Sequence, residues 1–414
     1  MSAVAVPTEA HRRGQCASLI AVSQQYHPRR ARGRVASILA AVALALFVAA
    51  LPARAAMPAG AAMPAGAAGP RGATEPAGPG GVRVPELTLS AALALMPDTY
   101  DIRGAGVWYA DYARAARAYG VGGIDSMMNP RIDSYFKAIL PLHSGPETGL
   151  SSLSQGVWRR TYGYDLLQLT SEIYSVGAPS VSAGPSHLVG VAVGGLDTTY
   201  IAHLLATTGY TATTVSGDRL YTRATSYVSM PTAAMNAVSP RPGELVAGPY
   251  VADVTALLLH AQQGTTLGRN RGFAALAEAL GSVQGAYLRA NVPPPFPLPR
   301  GGHRGRALRP FGQYAVAYAE PRPGERYMDI ALAYTRRSDA LADAPTLRAR
   351  LDREGLPTYG VSWRSLVDVA SVTVPSLDVR GESVLLIRLR PRPSAPPTLW
   401  QDAAVEEDLA LLSR

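Results

Sequence analysis

The chain contains a single cysteine, Cys16, in 414 residues, and no thiol follows it. Beyond residue 16 this excludes a disulfide framework, a cysteine nucleophile, a thiolate zinc site and an iron–sulfur cluster. A lipidated N-terminal cysteine is excluded as well, because none follows the apolar run described below. Lysine is nearly missing: Lys137 stands alone among 39 basic side chains. With no Gly-Lys-Ser/Thr triplet there is no phosphate loop, and Gly190, Gly194 and Gly195 miss the spacing of a dinucleotide fingerprint. Arginine in place of lysine fits GC-rich coding and carries no functional weight. No two histidines stand at the i, i+4 spacing that aims both rings at one metal from a helix, so the residues imply no metal and no cofactor. No Gly-x-Ser-x-Gly elbow occurs; Ser186 and Ser362 lie in the nearest stretches, and both lack the second glycine.

Charge is scarce and uneven. Charged residues make up 17% of the chain, yet the formal charge is +9. Residues 1–55 carry seven arginines and one acid, Glu9, which leaves 32 basic and 29 acidic side chains for the rest. The body is therefore almost neutral, and a nucleic-acid partner loses its electrostatic basis.

The early charge has its own explanation. Arginines 29, 30, 32 and 34 precede an apolar run from Val35 to Leu51, followed by Pro52 and Ala53-Arg54-Ala55. A basic stretch, an apolar core and small residues before a cut are the layout of an export signal over 1–55, with cleavage expected after Ala55. The alternative is an uncleaved anchor through residues 35–51, which would associate the protein with a membrane. Either route places the body outside the cytoplasm, secreted or tethered. Residues 56–85 repeat Met-Pro-Ala-Gly-Ala-Ala at Met57 and Met63, and their prolines and glycines read as a disordered linker.

From residue 86 the pattern becomes globular. Strand-into-helix is expected over 104–120, with Asp111 at the cap and Gly120 past the end. Leu166, Leu167, Leu169 and Ile173 have helical spacing. A strand at 187–195, a helix at 196–209 and two strands around Ser216-Gly217 follow. Helices are expected over 250–264 and 272–288, strands over 314–320 and 327–335, a helix over 338–355 that restarts at Pro345, two strands about Arg380-Gly381, and a closing helix from Asp402. This order predicts an α+β protein of two lobes, 86–290 and 313–414. Each would be a mostly antiparallel sheet with helices on one face, built around a β-α-β-β unit, and joined by a proline- and arginine-rich hinge at 291–312.

Four residues are candidates for catalysis: Asp111, Asp197, His203 and His260. Asp197 and His203 lie six apart, about 600° round a helix and so on opposite sides, which favours a cap for the aspartate over an acid–base pair. His203 flanks Leu204 and Leu205 and suits a core or boundary position, and His260 suits a helix C-terminus. The 20 tyrosines cluster at Trp108-Tyr109-Tyr112 and Trp158-Tyr162-Tyr164. Such groups serve either as flat platforms for a protein or carbohydrate partner or as seams between packed elements. The reading that follows is an exported, non-catalytic binding or envelope-associated protein. The alternatives are a secreted hydrolase with its site between the lobes and a two-lobed ligand carrier.

Overall fold

The computed structural model describes residues 87–124, 126–142, 157–176, 188–224, 235–291, 306–356, 359–375, 380–404 and 409–412. All lie in one compact unit, Ala77–Arg414. The segments expected as export signal and linker at 1–85, most of the 291–312 segment, and His143, His187, His303 and Ser186 fall outside the described residues. Among the described residues no helix is long and apolar enough to cross a membrane.

The fold is α+β around a large antiparallel sheet. Its strands are β1 (Val107–Asp111), β2 (Leu169–Val176), β3 (Leu188–Gly194), β4 (Thr211–Val215), β5 (Asp218–Thr222), β6 (Ala237–Arg241), β7 (Glu244–Gly248), β8 (Gly285–Ala290), β9 (Gln313–Ala319), β10 (Tyr327–Tyr334), β11 (Val367–Thr373) and β12 (Ser383–Pro391). They form one 12-stranded sheet in the order β11-β12-β10-β9-β8-β1-β2-β3-β7-β6-β5-β4. Two lobes with separate sheets do not form. β1 pairs with β8 from Val107↔Leu288 to Ala110↔Gly285, so the expected lobes share an unbroken ladder. Likewise the segment expected as a hinge joins two strands that are themselves neighbours, β8 and β9, paired from Gly285↔Tyr318 to Ala290↔Gln313.

Helices cover both faces of the sheet, not one. α1 (Leu89–Leu93), α2 (Tyr100–Ala105), α7 (Val251–Gln263) and α8 (Arg271–Leu280) pack on one face, against Tyr109, Ile173, Val191, Val246 and Leu288. On the other face lie α3 (Tyr112–Ala118), α4 (Ile132–Ile139), α5 (Val157–Tyr162), α6 (Thr198–Thr207), α9 (Arg337–Arg353), α10 (Trp363–Leu366) and α11 (Leu399–Ala404). The reason is written in β9 and β10, whose alternate residues are small and large. Ala315, Ala317, Ala331 and Ala333 give α8 a shallow bed, while Tyr314, Val316, Tyr318, Ile330 and Leu332 fill the opposite layer. Both sets are buried, so both faces need cover. Each large apolar side chain shielded this way contributes about 1.5–3 kcal/mol.

Local signals account for many boundaries. Asp111 caps α3 by accepting from the Arg114 amide at 2.8 Å. Ser216 and Gly217 both have positive φ, the requirement of the tight turn joining β4 to β5. Gly264 ends α7 in the left-handed conformation. α9 runs through Pro345 without the expected restart.

Two expected helices are partly strands. Residues 169–176 pair as β2, because the capping box of Asp165 and Gln168 confines the helical turn to Leu166–Gln168. Residues 285–290 pair as β8, because α8 stops at Leu280, before Gly281 at φ +63°. The closing segment holds α11 from Leu399 and a separate turn at Ala410–Leu412.

Candidate functional site

The four sequence candidates do not form a catalytic group. Asp197 is exposed and caps α6, accepting from the Tyr200 amide at 2.9 Å. His203 lies on α6 and is exposed, unlike the core or boundary place its leucine neighbours suggested; Ile201 and Leu205 are the residues α6 turns inward. His260 is half-buried in the last turn of α7, with Nδ1 2.7 Å from Thr265 Oγ1. Since α6 and α7 pack on opposite faces of the sheet, the sheet separates the two histidines. Asp111 is buried at the end of β1 and bonded to the Arg114 amide and, at 3.2 Å, to Arg114 Nε. Among the described residues no three histidine, aspartate or glutamate side chains gather as a metal-binding set.

The aromatic clusters are interior seams. Trp158, Tyr162 and Tyr164 are buried, with Trp158 and Tyr162 centroids 4.4 Å apart. Trp108 packs on Tyr287 at 4.4 Å, while Tyr109 points to the other side of the sheet.

Two cavities stand out instead. The smaller, about 30 Å³, lies over β2, β3 and β7 and is lined by Glu172, Tyr164, Gly190, Met235 and Leu245 among others. Glu172 is buried and accepts from the Tyr112 hydroxyl at 2.7 Å. A volume of that size holds about one water. Gly190 is required beside it, since a Cβ there would stand 2.6 Å from Tyr174 Cβ.

The larger is an open cleft of about 610 Å³ at the end of the sheet where β1 and β9 finish and β8 and β10 begin. It exists because α8 is short. Ten helical residues rise about 15 Å, whereas the seven residues of β9 extend about 23 Å, so α8 ends before the strands beneath it do. Arg114, Arg117 and Ala118 of α3 form one wall, with Ser282 and Gln284 beyond α8. Ala319, Pro321 and Tyr327 continue the surface to Arg388 on β12.

Carboxylates behind the cleft orient its guanidinium groups. Asp329, 1% exposed, accepts from Arg388 Nε at 2.9 Å and Nη2 at 2.7 Å, a two-pronged pair across β10 and β12. Those bonds hold the Arg388 proton more firmly than usual, despite partial burial. Asp111 accepts a single bond from Arg114 Nε, at 3.2 Å. A guanidinium has five N–H donors, so a carboxylate on one edge fixes its plane and leaves others to face a ligand. The guanidinium groups of Arg388 and Arg390 also lie over the Tyr327 ring, their central carbons 5.4 Å and 5.5 Å from its centroid.

Glu320 is the acid among the lining residues, and protein donors engage it from within. It is buried and accepts from Tyr318 at 2.5 Å, Tyr119 at 3.0 Å and the Gly324 amide at 2.6 Å. Gln284 locks the same turn, accepting from the Glu320 amide at 2.6 Å and donating to its carbonyl at 2.9 Å. Burial, then the bond to Glu320, pushes the Tyr119 hydroxyl up to about 12, and raises that of Tyr318 as well. Both phenols stay neutral donors, and the cleft presents its arginines as the charged surface.

The linear sequence gave no sign of this site beyond Asp111. Its residues come from α3, the turn after α8, the ends of β9 and β10, and β12. Two fragments could have pointed to it but went unread: Arg114 and Arg117 share one helical face, and Arg388 and Arg390 share one strand face. Comparison with protein-family models, with curated proteins and with solved structures finds no match to this chain.

Proposed function

We propose that this is an exported, extracytoplasmic binding protein that holds a small anionic ligand in the arginine-walled cleft and carries out no chemistry on it. The observation behind this reading is the convergence of Arg114, Arg117 and Arg388 on one open cavity, two of them oriented by the buried aspartates Asp111 and Asp329. Oriented guanidinium groups recognise carboxylates and phosphates through paired N–H donors. Tyr327 and Ser282 add hydroxyl groups at the margin.

The hydrolase alternative finds less support, because Asp111, Asp197, His203 and His260 each serve their own element and the two histidines are divided by the sheet. A carrier that clamps between lobes is also less favoured, since β1 and β8 are bonded along their length. Calorimetric titration of the full chain with carboxylate and phosphate anions at low ionic strength tests the reading. Saturable heat that is lost on charge reversal by Arg117→Glu supports it, and its absence for every anion refutes it. Export is checked separately by N-terminal sequencing of secreted and membrane fractions: a chain starting at Ala56 supports cleavage, and intact protein in the membrane supports the anchor.

A further inference from the structure

Among the described residues the large sheet ends in two edge strands, β4 and β11, and they are finished differently. Along β11 the register against β12 shifts at a bulge between Val369 and Ser371, and the exposed Asp368 accepts from Arg392 at 2.7 Å. A bulge and a charge are devices that keep an edge from taking another strand. β4 has neither. Its pairing with β5 runs in unbroken register from Thr211↔Thr222 to Val215↔Asp218. Its sequence, Thr-Ala-Thr-Thr-Val, holds no charge and no proline. Thr211, Ala212, Thr213 and Thr214 are all exposed, so no helix overhangs them.

The turn decides which backbone groups of β4 face outward. Val215 and Asp218 flank the two-residue turn Ser216-Gly217 and so form a hydrogen-bonded pair. The alternation along an antiparallel ladder then turns the N–H and C=O of Thr211, Thr213 and Val215 toward β5, and those of Ala212 and Thr214 away from the sheet. We infer that β4 docks a second copy of this chain, strand to strand and antiparallel, about a two-fold axis at Thr213. In that register Ala212 and Thr214 exchange backbone bonds with Thr214 and Ala212 of the second copy, so every outward group between them finds a partner. Thr213 meets its own counterpart as a close, non-hydrogen-bonded pair, and Thr–Thr pairs across strands are favourable. This self-complementary register is what singles out a second copy over a strand of another protein. The assembly also closes at two, because it consumes both β4 edges and leaves only the blunted β11 edges outside.

The test is sedimentation velocity of the full chain from micromolar to hundreds of micromolar, with each variant's fold checked by thermal melting. One strand pair is a small interface, so the chain should pass from monomer to dimer within that range. Ala212→Pro removes an outward donor and spares the bonds to β5, and it should weaken the dimer about tenfold or more. Thr213→Lys and Thr213→Glu each set like charges opposite one another across the axis, and each alone should stay monomeric where the parent dimerises. Mixed together, the two should dimerise again. A parent that is monomeric at every concentration overturns the inference. So does a dimer that ignores all three substitutions, since it is then held elsewhere, and so does a mixture of the lysine and glutamate variants that remains monomeric.

Discussion

The two cavities differ in what their charges are for. Around Glu172 a carboxylate is buried among Tyr164, Met235 and Leu245, bonded to Tyr112, in a space suited to about one water. At the sheet end the carboxylates of Asp111 and Asp329 are equally hidden, but each is bonded to a guanidinium that lines an opening some twenty times larger in volume. The first arrangement fixes a core; the second presents charge to something outside. Burial of an acid therefore says little about function until the partner's exposure is known.

The comparison can be broken in order of expected effect. Arg388→Leu leaves Asp329 buried and uncompensated, and should cost about 3–5 kcal/mol in chemical denaturation. If the loss is below 1 kcal/mol by the same measurement, the pair does not hold the cleft wall as described. Gly190→Ala drives a Cβ into Tyr174 and the Ile173 carbonyl beside the smaller cavity, and should cost about 1–3 kcal/mol without changing anion affinity. Tyr112→Phe removes a donor from Glu172, for a loss of about 1–3 kcal/mol, again with the cleft unaffected. Arg117→Gln should do the reverse: stability within about 0.5 kcal/mol of the parent, with ligand affinity reduced.

A pH test sharpens the same contrast. Because the folded state raises the Tyr119 hydroxyl from 10.0 to about 12, folding favours its neutral form. The associated stability is complete below pH 10 and is lost as pH rises through about 12. Melting temperatures across that window should fall less steeply in Tyr119→Phe than in the parent; equal slopes would remove Tyr119 from the account.

Much of the fold was legible from the sequence, for reasons that are local. Asp111, Asp197 and Gly264 act through their own neighbours, and they bound helices where the sequence places them. The turn at Ser216-Gly217 is equally self-contained. What failed depended on distant partners. Leu169 to Val176 has helical apolar spacing but becomes a strand because β1 and β3 flank it. The hairpin of β6 and β7 carries no strand signal, since Pro240 interrupts it. Proline is tolerated there because β5 pairs β6 only at Ala237 and Val238, leaving Pro240 to face β7 alone. One sheet instead of two follows from the β1–β8 ladder, which no local pattern encodes. The cleft was illegible for the same reason: its walls come from residues more than 250 positions apart, brought together by strand order.

The most direct test of the central claim is amide hydrogen exchange of the full chain with and without inorganic phosphate. The account predicts slowed exchange in the peptides covering 112–119, 282–285 and 319–328, with 188–194 and 244–248 around the smaller cavity unchanged. Protection concentrated in those last two segments, or none at saturating phosphate, would contradict it.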